Sequence, residues 1–368
     1  MNTQQDVIIV GGGVVGAACA REFARSGRSV TVLDPDDRQG QAWRASAGLL
    51  SPLVDSGPDD LLLELGVAGR EYYRDRTAEL EEETGISVGL FDEGILRLAL
   101  DEEEMTRLRT SVAWLRQHGY RVDWLAPAEV KADWPFVGEM EGALWAPHDG
   151  ALDPVRLVEA LRASATLAGA RFVTDEGISL EGSEGSHPVV RGRSDRYQAE
   201  QVVLAAGAWT GRMAGLPRPI SVEPVRGQMQ ARKWPAGLRP TVVFGRHCYV
   251  LERGGEALSG ATVEHAGFTA ETTAAGQSFV TERTRVLVPS LAAQPVLRSW
   301  AGLRPGTPDG LPIVGPEPRM PGLWYATGHG RNGILLAGIT AVILGHLMAK
   351  EATFESVETL RPERFWNR

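Results

Sequence analysis

Cysteine is nearly missing: Cys19 and Cys248 stand far apart in unrelated contexts, and no CxxC or Cys/His spacing offers a seat for zinc or an iron–sulfur cluster. No metal is expected, and a reducing compartment suits the chain. Basic charge is also short, with 38 Lys and Arg against 47 Asp and Glu for a formal charge of −9. Such a field repels polyphosphate backbones, so no nucleic-acid partner is expected. The stretch Met1 to Gln5 is polar, with no basic region leading into an apolar one, and the reading is an unexported, cytoplasmic protein. One long uncharged run exists, Asn332 to Ala349, but its glycines and His346 leave it borderline for crossing a bilayer. A buried core helix is the alternative its flanks favour, so no transmembrane segment is expected. Internal repeats and low-complexity segments are absent too.

What is present suffices for two lobes: 368 residues, 43% of them apolar, with strand-like and helix-like runs alternating throughout. Asp6 to Val10 (DVIIV) suits a buried parallel strand, Val14 to Ser26 has helical spacing ended by Gly27, and Ser29 to Leu33 is a second β-branched run. Together they make a βαβ unit. Further along, a helix is expected over roughly Asp59 to Thr84, a strand over Gly94 to Leu100 and a helix from Asp101 to His118. Then come a helix from Asp153 to Gly169 and strands at Gln201 to Ala205, Cys248 to Leu251 and Ala257 to Thr262. The pattern predicts an α/β fold whose first lobe is discontinuous, made of residues 1–85, 150–222 and 301–368. An α+β second lobe, mostly antiparallel sheet, is inserted as residues 86–149 and 223–300.

Gly11, Gly13 and Gly16, with Val14 and Val15 between them, form GxGxxG directly after a strand and before a helix. In that context Gly11 permits the tight turn, Gly13 lets backbone approach a pyrophosphate and Gly16 lets helix and strand pack closely. Asp34 closes the second strand, where a carboxylate accepts from ribose hydroxyls and disfavours a 2′-phosphate. The first lobe is therefore Rossmann-like and binds a dinucleotide, unless the loop is a ligand-free Gly-rich turn. The fingerprint alone does not separate NAD from FAD.

Other segments separate them. Ser46-Ala47-Gly48-Leu49-Leu50, Gln201 to Trp209 (QVVLAAGAW), Val225 to Met229 (VRGQM), Trp300 to Gly315 (WAGLRPGTPDGLPIVG) and Gly328 to Leu336 (GHGRNGILL) resemble the glycine oxidase-like family of FAD-dependent amino-acid and sarcosine oxidases, from end to end of the chain. The resemblance implies FAD as cofactor, making the first lobe the FAD-binding domain and the second the substrate-binding domain. It implies that Ser46, Ala47, Gly48 and Leu49 pass by the flavin, that Ala206, Gly207 and Trp209 close the nucleotide domain, and that Ile178, on the strand after the Asp153 helix, meets the adenine through its backbone. It also implies that Arg331, Asn332, Gly333, Ile334 and Leu335 lie along the pyrimidine edge. A Gly-rich turn at Gly330 feeding a helix suits that edge, because flavin reduction places negative charge at N1–C2=O and helix N–H groups answer it.

The same resemblance gives Arg304, beside the flavin, the substrate carboxylate, gripped by a bidentate fork, and gives Tyr249 a hydroxyl contact to it. The plainer readings are an interlobe ion pair and a half-buried strand aromatic. Leu49, Ser51, Val263 and His247 are candidate pocket residues. His247 is equally readable as structural, and Arg331 as either a positive field near the substrate or a bridge to a carboxylate. Val263 stands where the family has methionine, Gly330 where it has a bulky aromatic, and Ser51-Pro52 departs from the family loop, so room for larger or N-substituted substrates is expected. The implied chemistry is hydride loss from a small amino acid, hydrolysis of the imino acid to oxo acid and ammonia, and reoxidation by oxygen to hydrogen peroxide. A dehydrogenase of D-amino or secondary amino acids with another acceptor, or a non-catalytic flavin subunit, is the alternative. Pro305 to Gly315 holds no cysteine, so the resemblance implies non-covalent FAD. It further implies a homo-oligomer and a link to thiamine biosynthesis.

Overall fold

The computed structural model describes residues 5–55, 61–182 and 185–366; Met1 to Gln4 and the expected helix start at Asp59 lie outside them. Gln5–Val10 is buried over its last four residues, as a strand must be when both sheet faces are covered. It pairs in parallel with Val30–Leu33 on one side and Arg196–Leu204 on the other. The sheet's main path runs Ile313–Pro316, Leu323–Thr327, Arg196–Leu204, Gln5–Val10, Val30–Leu33, Arg171–Val173, parallel except for Ile313–Pro316 with Leu323–Thr327, and Val189–Arg191 and Ser179–Glu181 join it antiparallel beside Arg196–Leu204. The helices Val14–Arg25, Leu63–Thr84, Pro154–Leu167 and Gly333–Ala349 pack on one another and share an apolar core with the sheet. This is the Rossmann-like α/β arrangement.

The last of these helices is the uncharged run of the sequence. By length and composition Gly330–Ala349 passes for a membrane span, yet 56% of its window is buried inside the protein, against the helices Val14–Arg25 and Leu63–Thr84. It is a core helix.

The second sheet runs Arg298–Gly306, Glu223–Lys233, Glu256–Gly260, Cys248–Arg253, Val242–Gly245, Ile95–Ala99, Gly142–Ala146, Asp123–Leu125. Its neighbours are antiparallel apart from Val242–Gly245 beside Ile95–Ala99. The helix Glu102–Gln117 packs on it, started where the Asp101 carboxylate accepts from the Glu104 N–H at 2.8 Å. Arg298–Gly306 departs from expectation. The boundary expected between residues 300 and 301 falls inside this strand, and Pro305-Gly306 continues it. The physical reason is its position at the sheet edge, where the N–H that proline lacks is not needed by an outer neighbour.

Candidate active site

A cavity of about 1670 Å³ opens at the carboxyl ends of the parallel strands and reaches the second sheet. Open α/β sheets bind ligands at that end, and small-molecule pockets occupy roughly 300–1,000 Å³, so this one has room for an extended ligand and more. Gly11, Gly13, Val14 and Val15 line it. Gly11 has φ +102°, and a Cβ there lies 2.5 Å from the Ala205 carbonyl oxygen, which shuts out every other residue. Gly13 precedes the helix Val14–Arg25 with no side-chain cap, so the first N–H groups face the cavity. Gly16, expected among the cofactor contacts, is off the wall: a Cβ there meets the Gly11 carbonyl oxygen at 1.8 Å, so its work is the packing of helix on strand. Asp34 lines the cavity, accepts from the N–H groups of Gly12 and of Asp36 (2.8 Å), and faces Arg162 at 3.5 Å. A carboxylate has about four acceptor sites, which leaves capacity for hydroxyls.

Ser46, Ala47, Gly48, Leu49 and Ser51 line the cavity. Arg253 of the second sheet ties this loop down by donating to the carbonyls of Ala47 and of Leu152 (2.6 Å). Ala206, Gly207 and Trp209 line the cavity too, the last with the Arg38 guanidinium 4.9 Å over its ring. Gly330, Arg331, Asn332, Gly333 and Ile334 complete this stretch. The Asn332 N–H is already given to the His329 carbonyl at 2.9 Å, but no side chain caps the helix that follows. Leu335 is not on the wall. It is turned into the helix packing, its carbonyl against Gly69 and its side chain against Gly66. Ile178 lines the cavity but not from a strand, since the strand ends at Val173. Its N–H donates to Arg191 and its carbonyl accepts from Ala214. What it offers the cavity is a side chain in a residue 45% exposed, rather than free backbone groups.

At the second sheet, Arg304 and Tyr249 line the same cavity. Arg304 packs its guanidinium over Gly227 and donates from Nη1 to the Thr262 carbonyl at 3.0 Å. Among the described residues no carboxylate pairs with it, so the interlobe ion pair is not formed. Burial holds its proton affinity below the guanidinium norm; Tyr249 acts in the opposite sense and Arg331 adds to the lowering. Burial pushes the Tyr249 phenol up to about 12, against the pull of Arg304, and its hydroxyl donates to Met229 Sδ at 3.3 Å. His247 sits exposed at the hairpin turn before Cys248–Arg253 with φ +64°, and Val263 is 73% exposed; both border the cavity. Arg331 bridges to Asp55 at 3.3 Å while lining the wall.

Comparison with known proteins settles the ligand. A model described as FAD dependent oxidoreductase matches residues 6–347. The chain belongs to that family. It is 34% identical to a glycine oxidase of Geobacillus kaustophilus over 96% of this chain and 95% of that one, and 32% identical to a glycine oxidase of Pseudomonas aeruginosa over 93% and 94%. The crystal structure of the Geobacillus kaustophilus glycine oxidase superposes with a TM-score of 0.92 at 33% identity, covering 98% of this chain and 99% of that one. An iminodiacetate oxidase from a Chelativorans species gives 0.89 at 26% identity, covering 97% and 98%. The protein is thus an FAD-dependent amino-acid oxidase.

FAD fits the residues present. Trp43 is 6% exposed, lines the cavity beside Gly13, and its indole Nε1–H has no partner among the described residues. Leaving such a donor unmade costs about 1–3 kcal/mol, and a phosphate oxygen satisfies it. The uncapped start of the helix Val14–Arg25 and the Asp34 carboxylate make a cradle suited to pyrophosphate and ribose, and the uncapped start of Gly333–Ala349 borders the same cavity. Sequence reasoning missed Trp43, whose partner is no protein group, and Arg162, which fixes the fingerprint by donating to the Gly12 carbonyl at 2.9 and 2.7 Å. It also passed over Arg97 and His329. The latter lies inside the quoted GHGRNG segment, lines the cavity, and is held neutral by burial that lowers it to about 4.

Proposed function

We propose that the protein oxidises glycine and other small amino acids, N-methylated and D-amino acids included, to the oxo acid with release of ammonia or amine and formation of hydrogen peroxide. One observation carries the reading: a largely desolvated guanidinium, Arg304, with a single carbonyl partner and no counter-ion among the described residues, bordering the cavity that holds the dinucleotide cradle. An arginine so placed is completed by an anion, and a carboxylate matches its fork. Glycine oxidases and an iminodiacetate oxidase stand among the relatives, and the substrates in those names carry a carboxylate beside an amine.

FAD, when bound, supplies the two-electron acceptor. Arg304 and Tyr249 hold the carboxylate and so fix the α-carbon in place. His329, neutral and donating to or accepting from Thr340 at 3.0 Å, brings no charge to the site. Among the described residues no strong base pairs with Arg304, so in this reading the substrate enters with its amine deprotonated and orientation supplies the rate. A cytoplasmic homo-oligomer with removable FAD that yields an imine for thiamine biosynthesis belongs to the same reading.

The test is an absorbance spectrum of the purified protein, then anaerobic bleaching with glycine, sarcosine, D-alanine and D-proline, and oxygen uptake on the same panel. A yellow protein bleached by one or more, with peroxide formed in air, is expected. Dye reduction without oxygen uptake replaces the oxidase with a dehydrogenase, and inertness to the whole panel overturns the proposal.

A further inference from the structure

The substrate end of the cavity carries more positive charge than one carboxylate uses. Arg97, on the strand Ile95–Ala99, and Arg331, on the turn before the last helix, both border it, and both turn to the same acid: Asp55 lies 3.9 Å from Arg97 and 3.3 Å from Arg331. Two guanidiniums therefore share one carboxylate. Arg97 is largely buried, its side chain 12% exposed; it donates from Nη1 to the Val54 carbonyl, and its Nε–H is fully buried without a partner among the described residues. Burial holds it below the guanidinium norm; Asp55 works in the opposite sense, and Arg331 adds to the lowering. The other cationic pair nearby has two carboxylates, Arg107 meeting Glu104 at 3.4 Å and Arg246 meeting Asp101 at 3.0 Å and Glu104 at 3.8 Å. Space adjoins the unmatched charge, since nothing lies within 4 Å of where a Cβ at Gly330 would be.

We propose that Arg97, Arg331 and Asp55 frame a second anion subsite, and that the enzyme favours amino acids bearing a second carboxylate on the nitrogen substituent or side chain. The inference rests on the reading of Arg304 as anchor for the first carboxylate. With one carboxylate on Arg304, the second pairs with the Arg97 and Arg331 guanidiniums and offsets the excess charge that Asp55 alone leaves. A largely buried guanidinium is more fully neutralised only when such a substrate is bound, which makes the interaction discriminating as well as attractive.

The experiment compares matched pairs on the holoenzyme: N-carboxymethylglycine against sarcosine, and D-aspartate against D-alanine. A preference in kcat/KM for the dicarboxylate on the order of tenfold or more in at least one pair is expected, as a charge-assisted contact gives, and Arg97→Gln should reduce it to a few-fold. Equal or worse kinetics for the dicarboxylate in both pairs overturn the subsite. A second measurement needs no turnover: perturbation of the bound flavin spectrum by thiodiacetate against methylthioacetate. Tighter binding of thiodiacetate supports the subsite even where the panel above leaves the flavin oxidised, and equal affinity removes it even where glycine is a substrate.

Discussion

A guanidinium seated over Gly227 with only the Thr262 carbonyl as partner is arranged for a guest, and its removal is correspondingly specific. Arg304→Ala is expected to lower kcat/KM by about 2–5 kcal/mol, roughly thirty- to several-thousand-fold, with lysine rescuing only part because it lacks the fork. Steady-state kinetics on the best substrate check this, and unchanged constants take Arg304 out of the site. Trp43 poses the same question for the cofactor. Trp43→Phe keeps most of the ring and deletes the unpaired donor, so the dissociation constant for FAD should rise on the order of tenfold in a titration of apoprotein; an unaltered constant assigns the indole N–H to no ligand. The two residues differ in legibility. Arg304 sits in a motif whose resemblance to the family implies its use, whereas an orphaned indole donor exists only once burial has removed water from it.

Among the elements, those with a strong local pattern were legible: the first βαβ unit, the helix begun by Asp101, and the apolar run that became Gly333–Ala349. Elements decided by neighbours were not. Pro305-Gly306 continues a strand because that strand is outermost, and Ile178 falls in the connection between Arg171–Val173 and Ser179–Glu181, its backbone bonded to Arg191 and Ala214. Helix contact is likewise set by partners the sequence does not name. Gly69 of the helix Leu63–Thr84 faces the backbone of the last helix so closely that a Cβ would lie 2.3 Å from the Leu335 carbonyl oxygen. A carbonyl in a helix cannot swing aside, so Gly69→Ala should destabilise by about 1–3 kcal/mol despite alanine's better helix propensity. Because that helix begins at the Gly330 to Gly333 turn, FAD retention should weaken as well. Urea unfolding with and without FAD measures both, and a stabilised variant contradicts the close packing.

The cavity belongs to the whole molecule, since it exists only where the carboxyl ends of one sheet meet the face of another, and a linear reading supplied its residues without their distances. The Asp55 bridge to both Arg97 and Arg331 is of this kind. So is the burial of His329, whose imidazole is 2% exposed between the turn and Thr340. Burial lowers it from an ordinary 6.5 to about 4, so between those values the unfolded chain binds a proton that the folded one refuses. Stability from this group is therefore full above pH 6.5 and is lost as the pH falls toward 4, by up to about 3 kcal/mol. Carboxylates held low in the fold, Asp309 and Glu264 among them, lose stability in the same direction, so the overall acid slope does not isolate the histidine. The comparison does: His329→Gln keeps a polar contact for Thr340 and cannot charge. Its melting temperature should fall behind the wild type at pH 7 and gain on it steadily toward pH 4.5, whereas parallel curves would mean that His329 takes up its proton without leaving the folded state.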